Sequence, residues 1–326
     1  MTIKQIYDLA VKKGIDADMR PNQGVFRKLK QEKERYQNLP KDQKAEFDLE
    51  KLTNPYSDTR YFTDDPDKKI KRVYAGIDID VSEMLLVDKL SAKNPIDLVI
   101  SHHPLGKALA GMYEVMEMQT EMLAMYGVPV HLAEDLMSKR IAAVSRSLAP
   151  INHNKVIDAA DKLGFPLFCV HTPADNLVQR HLKKLIDRNQ KKLEFVKDLL
   201  KLLKSIPEYQ EAMKQKAGPT LFTGGLERYC GKIALTEVTG GTSGAIELYE
   251  KLSQAGIGTI VSMHMKEENK EEAEKQHLNI IVAGHMASDS IGMNLLLDEL
   301  EKRGVEVIVG SGIIRVKRFN KAKKKK

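Results

Sequence analysis

The amino-acid sequence predicts an α/β protein whose sheet is at least partly parallel. Short apolar runs of strand length alternate with amphipathic, helix-like segments over most of the chain, as at 97–101, 279–284 and 305–310. Buried strands that are connected by helices are typical of parallel sheets. A lysine-rich helical segment, 176–217, interrupts the alternation and separates two α/β halves.

Eight apolar runs are predicted as strands, and five segments are predicted along the chain. The strands are expected at 71–79, 97–101, 127–132, 165–170, 232–238, 257–263, 279–284 and 305–310. The segments are a charged helical N-terminal extension (1–70), a first α/β half (71–175), a helical connection (176–217), a second α/β half (218–315) and a basic tail (316–326). Within the extension, two helices broken at Pro40 and an irregular loop over 54–67 are expected.

The composition indicates a globular protein in the cytoplasm, without a membrane span. Of its 326 residues 42% are hydrophobic and 30% are charged, which excludes a disordered or fibrous chain. No apolar stretch reaches the roughly 20 residues that cross a bilayer, and the N-terminus lacks a signal-peptide core. The two cysteines, Cys169 and Cys230, form no CxxC motif and favour a reducing compartment.

The formal net charge of +7 comes mainly from the C-terminal end. Eight Lys or Arg and no acidic residue lie between Arg315 and Lys326, so the rest of the chain is nearly neutral. Short basic ends of this kind are usually solvated and disordered. Binding of a nucleic acid or an acidic partner through this tail is the alternative interpretation, because basic runs attract phosphates.

Three predicted strands end in side chains that are able to bind metals. They are followed, respectively, by His102 and His103, by His171 and Asp175, and by His285 and Asp289. Ligands gather at the carboxyl ends of strands in open α/β sheets, so these groups are expected to meet. Each motif by itself also has a purely structural interpretation. The histidine pair after 97–101, for example, has the pattern of residues at the edge of the core whose rings hydrogen-bond to backbone carbonyls.

Four imidazoles and two carboxylates exceed what one tetrahedral zinc needs. A pair of metal ions roughly 3.5–4 Å apart, bridged by a carboxylate and a water, would use such a set fully. The mixture of nitrogen and oxygen ligands suits Zn, Fe, Mn, Co or Ni better than Mg or Ca. The sequence therefore favours two divalent metal ions per chain.

The motifs "DLVISHHPL", "HTPAD" and the late "GH" followed by an acid resemble those of the NIF-three-like dinuclear metal-centre proteins, many of which carry the name GTP cyclohydrolase I type 2. The resemblance covers residues 71–315. It implies two related α/β halves with mixed or parallel sheets, a metal site between them at the strand C-terminal ends, and a homo-oligomer, commonly a hexamer. The metal ligands that it implies are His102, His103, Asp175, His285 and Asp289. Asp289 departs from the family pattern, in which this acid is usually Glu.

Several polar residues near the motifs have two interpretations each. His264 follows the strand at 257–263 and is a candidate for proton transfer or for an outer contact to the metal site, or it simply ends a strand. His171 is either a further ligand or a group that orients Asp175. Asp78 and Asp80, in "GIDID", either hydrogen-bond a ligating histidine or serve as turn and cap residues.

A glycine-rich turn in the second half is a candidate phosphate-binding loop. Gly240, Gly241, Ser243 and Gly244 lie between a predicted strand and a predicted helix, where backbone N–H groups can face an anion. The turn matches neither of the standard nucleotide-binding glycine patterns. A tight turn that only lets strand and helix pack is the alternative.

Together these features predict a metal-dependent hydrolase that acts on a nucleotide or a phosphoester, and the resemblance adds a GTP cyclohydrolase-like reaction. The activation of water by two cations is the chemical basis of this hypothesis. A second hypothesis is a metal-binding regulatory or interaction protein without catalytic activity. Turnover of nucleotides and phosphoesters in the presence of added metal distinguishes the two.

Overall fold

The computed structural model describes residues 1–20 and 22–319. The strands in these residues are β1 (Thr59–Phe62), β2 (Arg72–Gly76), β3 (Leu98–Ser101), β4 (Leu167–Val170), β5 (Thr220–Thr223), β6 (Lys232–Leu235), β7 (Ile257–Ser262), β8 (Asn279–Val282) and β9 (Glu306–Val309). Helices connect most of them, and the predicted α/β class is confirmed.

The helices account for most of the remaining described residues. They are α1 (Ile3–Ala17), α2 (Asn22–Asn38), α3 (Lys41–Glu46), α4 (Val81–Ser91), α5 (Gly106–Ala110), α6 (Glu117–Tyr126), α7 (Val130–Leu148), α8 (Lys155–Leu163), α9 (Thr172–Asn189), α10 (Val196–Leu203), α11 (Pro207–Lys214), α12 (Leu248–Gln254), α13 (Glu267–Lys275) and α14 (His285–Lys302). Among these helices, none combines the length and the apolar character that a bilayer span requires.

The two sheets share one topology, so the halves are related. The first sheet has the order β1-β4-β3-β2-β9 and the second has the order β5-β8-β7-β6. In each, the first strand of the half pairs antiparallel with the last one, and the other neighbours are parallel. Strand β9 returns from the end of the chain to the first sheet, where it pairs with β2. The segment boundaries that the sequence predicts stay predictions.

The sheets and helices stack in layers, and α9 and α14 lie in the middle layer. One face of the first sheet packs on α4, α5 and α8, and its other face packs on α1, α9 and α14. The second sheet has α9, α10, α11 and α14 on one face and α6, α7, α12 and α13 on the other. Both faces of β8 are therefore buried: Ile280 and Ile281 enter different cores. This double burial explains why the strand runs read as continuously apolar.

The first helix of the N-terminal extension packs into the core of the first sheet. A capping box between Thr2 and Gln5 begins α1, and Ile3, Ile6 and Tyr7 of this helix are buried in the first-sheet core. Helix α1 packs along α9. The predicted helical break at Pro40 is confirmed, since α2 ends at Asn38 and α3 begins at Lys41.

Two local predictions are wrong. The run 127–132 is not a strand: Gly127, with φ of 104°, ends α6 and Pro129 precedes the first turn of α7. Glycine at a helix end and proline at a helix start are the reason. The loop expected over 54–67 contains β1, whose register pairs Thr59 with Val170.

The motif "HTPAD" begins a helix, because α9 starts at Thr172. Proline is well tolerated in the first helical turn, where its missing N–H has no intrahelical partner. Apolar residues of the predicted helical connection pack inside the molecule, since Leu182, Val196 and Leu203 are buried against the second sheet.

The start of the basic tail is not a free, solvated end. Arg315 forms an ion pair with Asp298 at 2.7 Å, Lys317 pairs with Glu301 at 2.8 Å, and Arg318 pairs with Glu208 at 2.6 Å. Acidic groups of the protein thus already neutralise these cations. Residues 320–326 of the predicted tail lie outside the described residues.

The close approach of α9 and α14 depends on Gly292. A Cβ atom at this position would lie 2.3 Å from the carbonyl oxygen of Ala174 on α9. We expect Gly292→Ala to force the helices apart and to lower the free energy of unfolding by roughly 1–3 kcal/mol. Urea denaturation followed by circular dichroism measures this change.

The matched control is Gly225→Ala, where the added Cβ would meet only side-chain atoms of Arg228 at an ordinary 3.5 Å. This variant is expected to stay within about 0.5 kcal/mol of the parent protein. Equal stability of the two variants would show that α9 and α14 do not need glycine at their crossing.

Candidate metal centre

Four histidines and two aspartates meet where the parallel strands end. His102 and His103 follow β3, while two further pairs stand at the start of the helices after β4 and β8. Three overlapping groups bring ligand atoms within 4.8 Å of one another: His102, His103 and His171; His103, His285 and Asp289; and His102, Asp175 and Asp289. The structure thus brings together all six residues that the sequence singled out after these strands.

The two carboxylates stand between the imidazoles. His102 Nε2 lies 3.4 Å from Asp175 Oδ1 and 3.6 Å from Asp289 Oδ1. The other oxygen, Asp289 Oδ2, lies 3.5 Å from His103 Nε2 and 3.6 Å from His285 Nε2. Asp175 Oδ2 is 3.6 Å from His171 Nε2. These distances exceed those of good hydrogen bonds, so the atoms face a common space without filling it.

Several of these atoms are buried and have no hydrogen-bond partner among the described residues. They are His102 Nε2, Asp175 Oδ1 and both carboxylate oxygens of Asp289. Leaving such acceptors buried and unpaired costs free energy, so each needs a physical explanation. A divalent cation among them would satisfy the carboxylate and imidazole lone pairs together. The donor set therefore fits a metal.

Three of the imidazoles are oriented through their other ring nitrogen. The Nδ1 atom of His102 lies 3.0 Å from the carbonyl oxygen of Val170, and that of His103 lies 2.6 Å from Asp78 Oδ1. The Nδ1 atom of His171 lies 2.8 Å from Asp58 Oδ2. Because these partners only accept hydrogen bonds, Nδ1 carries the proton and Nε2 presents its lone pair to the cluster. This is the usual arrangement of metal-binding histidines.

The electrostatics of the cluster are dominated by burial and by Asp289. Burial alone would lower the pKa of His102, but in the absence of a metal ion the carboxylates of Asp289 and Asp175 raise it well above its usual range. A cation at Nε2 would displace the second proton of this imidazole and balance the carboxylates in its place. Burial would raise the pKa of Asp289, but His102 and His103 hold it far below its usual range. Asp289 is therefore a carboxylate. The side chain of His285 is 39% exposed, so this side of the cluster faces solvent.

The two halves contribute the same helix-start motif. His171 and Asp175 are four residues apart at the start of α9, and His285 and Asp289 are four residues apart at the start of α14. Side chains at this spacing lie on one helix face. Since α9 follows the last parallel strand of the first half and α14 follows that of the second, the motifs are structural counterparts.

His264 lies at the edge of the cluster, after β7. Its ring centroid is 5.0 Å from that of His285, and its Nδ1 is 4.0 Å from Glu237 Oε2. Burial, together with the charge of His285, lowers the pKa of His264 to about 4. Burial raises the pKa of Glu237, which accepts hydrogen bonds from Tyr249 and Ser243.

The glycine-rich turn is held by helices of the first half. Gln119 of α6 donates to the carbonyl oxygens of Gly240 and Thr242, at 2.7 and 2.8 Å. Arg140 of α7 donates to the carbonyl oxygen of Ser243 at 2.9 Å. Helix α12 begins only at Leu248, so the turn does not lead directly into a helix. Gly240 and Gly241 have φ of 86° and 88°, which the turn conformation requires.

Sequence reasoning missed two residues beside the cluster and left a third open. Asp58 is fully buried and accepts hydrogen bonds from both His171 and Thr172. Glu237 has a φ of 55°, an uncommon backbone conformation for a non-glycine residue. The sequence left two roles open for Asp78 and Asp80. Asp78 accepts a hydrogen bond from His103, whereas Asp80 is the N-cap of α4.

Comparison with known proteins identifies the family. The model of the Duf34/NIF3 family (NGG1p interacting factor 3) matches residues 139–313, more than half of the chain. This chain belongs to the Duf34/NIF3 family. The recognition made from the histidine and aspartate motifs is thereby confirmed. No curated protein matches the chain.

Solved structures similar to this Duf34/NIF3 chain include a NIF3 superfamily protein from Sphaerobacter thermophilus. It is 27% identical, has a TM-score of 0.76, and the match covers 96% of this chain and 98% of that one. Reduced HcgD from Methanocaldococcus jannaschii is 16% identical with a TM-score of 0.46, over 76% of this chain and 86% of that one. A Bacillus cereus protein related to NIF3 is 12% identical with a TM-score of 0.39, over 81% and 92%.

The contact between Asp58 and His171 gives a test of the cluster. We expect Asp58→Asn to weaken metal binding by about 10–100-fold, because the amide no longer holds the His171 imidazole as a strong acceptor does. Titration of metal-free protein with Zn²⁺ or Mn²⁺ in an isothermal calorimeter measures the affinity.

The exposed residue Asp64 provides the control, since Asp64→Asn removes the same charge from the same segment but away from the histidines. It should bind metal as the parent protein does. If Asp58→Asn also binds metal like the parent while remaining folded, His171 takes no part in the site.

Proposed function

We propose that this Duf34/NIF3 protein holds two divalent metal ions and acts as a metal-dependent hydrolase on a nucleotide or a phosphoester. The proposed ligands are His102, His103, Asp175, His285 and Asp289, with His171 as an additional one. The observation that carries the proposal is the set of buried, unpaired acceptor atoms on His102, Asp175 and Asp289. A purely structural cluster would have paired them with hydrogen-bond donors.

Asp289 is the proposed bridging ligand. Its Oδ1 faces His102, while its Oδ2 faces His103 and His285. One carboxylate oxygen is thus directed to each of two ligand sets. The side chain is one methylene shorter than the usual Glu. Because Asp289 lies in the first turns of the close-packed α14, its oxygens still lie within 3.6 Å of imidazole nitrogens in both sets.

The mixture of ligands limits the choice of metal. Imidazole nitrogens favour Zn, Fe, Mn, Co or Ni, whereas Mg and Ca prefer sites made of oxygen atoms alone. With four histidines among the six residues, we propose one of the transition metals or zinc. The two metal ions would supply Lewis-acid activation of water and polarisation of the electrophile.

Other residues around the cluster have separate proposed roles. His103 and Asp78 fix the first-half side of the site, because their hydrogen bond of 2.6 Å holds the imidazole in place. We propose that His264 exchanges a proton with a substrate that enters from solvent, and its position next to the partly exposed His285 supports this role. We propose the turn at Gly240, Gly241, Ser243 and Gly244 as the contact for substrate phosphates. A GTP cyclohydrolase-like reaction is the version of this proposal that the family resemblance favours.

We further propose a homo-oligomer in the cytoplasm, a hexamer by the family resemblance. Three leucines of α4, namely Leu85, Leu86 and Leu90, are exposed, and exposed apolar side chains on one helix support a protein contact. Both cysteines are free and buried, as suits a reducing compartment. Size-exclusion chromatography with light scattering measures the assembly.

Metal content tests the ligand set. We expect about two equivalents of divalent metal per chain in the parent protein, as in other dinuclear hydrolytic sites. His102→Ala should retain less metal, and Asp289→Asn should retain the least, because it removes the bridging carboxylate. Inductively coupled plasma mass spectrometry after gel filtration gives the stoichiometry. The exposed His131, on α7, supplies the control variant His131→Ala; metal contents that do not differ among the four proteins would refute the assignment.

Turnover tests the hydrolase. A panel of nucleotides, including GTP, and of phosphoesters is incubated with protein loaded with Zn²⁺, Mn²⁺ or Fe²⁺. For a substrate that is hydrolysed, we expect His264→Asn to lower kcat by about 100-fold, a typical contribution of proton transfer, while its metal content stays unchanged. The absence of turnover with every loaded form would instead support a metal-binding protein without catalytic activity.

A further inference from the structure

A second site lies away from the metal centre. A cavity of about 540 Å³ lies between α9, the end of α6 and β6, and no histidine or aspartate of the metal cluster lines it. Much of its wall is apolar and includes Met19, Met122, Met125, Ile186, Leu193 and Leu235. This volume lies within the range of small-molecule sites, which are mostly apolar with a few polar groups.

Gln179 is a buried polar group in this wall. The side chain has no solvent exposure, and its Nε2 donates to the carbonyl oxygen of Leu235 at 3.3 Å. Its Oε1 has no hydrogen-bond partner among the described residues. Turning the amide over would bring two acceptor oxygens together, so the unpaired atom is the acceptor. This oxygen is enclosed by protein atoms, so Gln179 is part of the wall, and the groups that the cavity offers to a ligand are its apolar side chains and Lys232.

Lys232 brings an unbalanced positive charge to the same cavity. Its Nζ donates to the carbonyl oxygen of Tyr126 at 2.6 Å, but it forms no ion pair with another described residue. By contrast, Lys183, also in the wall, is paired with Asp187 at 2.5 Å. The cavity therefore offers a cation whose charge is not neutralised, next to an apolar interior.

We propose that this cavity binds a small molecule with an apolar body and one anionic group. The apolar body packs against the methionines, whose flexible side chains adapt to a ligand surface. The anionic group, a carboxylate or a sulfonate, faces Lys232. The binding is independent of the metal ions, because the walls share no residue with the metal cluster.

Anilinonaphthalene sulfonate is a suitable probe, since it combines apolar aromatic rings with a sulfonate. Titration of the full chain, followed by dye fluorescence with and without a chelator, should show one saturable site per chain in both conditions. We expect Lys232→Met to weaken binding about fivefold through loss of one partly exposed ion pair. Met125→Trp should weaken it as well, because Met125 is 47% exposed at the rim and an indole there would fill the entrance.

Two variants with the same chemical changes elsewhere serve as controls. Lys89→Met removes an exposed cation on α4, and Met213→Trp adds an indole at an exposed position on α11. Both should bind the dye as the parent protein does. The proposal is overturned if no saturable binding is found, as when a second copy of the chain covers the cavity, or if Lys232→Met and Met125→Trp bind like the controls.

Discussion

The packing of α9 on α14 between the two sheets is the constraint on which the rest of the structure depends. Each helix starts directly after the last parallel strand of its half, so their N-terminal ends point to the same edge of the molecule. Gly292 lets the backbones approach until the Ala174 carbonyl leaves no room for a side chain. Because the two helix starts carry Asp175 and Asp289, this contact determines whether the carboxylates share one site. Stability and site geometry are thus set by the same helix crossing.

Burying several imidazoles and carboxylates at that edge costs free energy, and two arrangements of contacts offset part of this cost. Hydrogen bonds from the Nδ1 atoms to a backbone carbonyl, to Asp78 and to Asp58 hold the imidazoles with Nε2 inward. The imidazoles in turn hold Asp289 as a carboxylate although it is completely buried. Neither arrangement provides hydrogen-bond donors for the inward lone pairs. A cation would complete a site that the protein alone leaves unpaired, and metal binding would then stabilise the folded chain.

Sequence patterns were sufficient to predict which side chains meet wherever a residue's position follows from the direction of its strand. The histidines and aspartates after β3, β4 and β8 meet because the carboxyl ends of parallel strands share one edge. Asp58 was missed because it precedes an antiparallel edge strand, and only the register of Thr59 with Val170 places it beside His171. Such a register depends on pairing between distant segments, which leaves little local signal. The false strand at 127–132 arose similarly, since its apolar run resembles a strand although Gly127 and Pro129 separate two helices.

The repeated topology also places different side chains at corresponding strand ends of the two halves. After β2 and β3 the first half has Asp78 in direct contact with His103. After β6 and β7 the second half has Glu237 and His264, 4.0 Å apart, and Glu237 is held instead by Tyr249 and Ser243. The first pair fixes an imidazole rigidly, which suits a metal ligand. The imidazole of His264 has no direct hydrogen bond to its carboxylate and lies beside the exposed His285. This looser placement is the reason for proposing proton transfer, rather than metal binding, at His264.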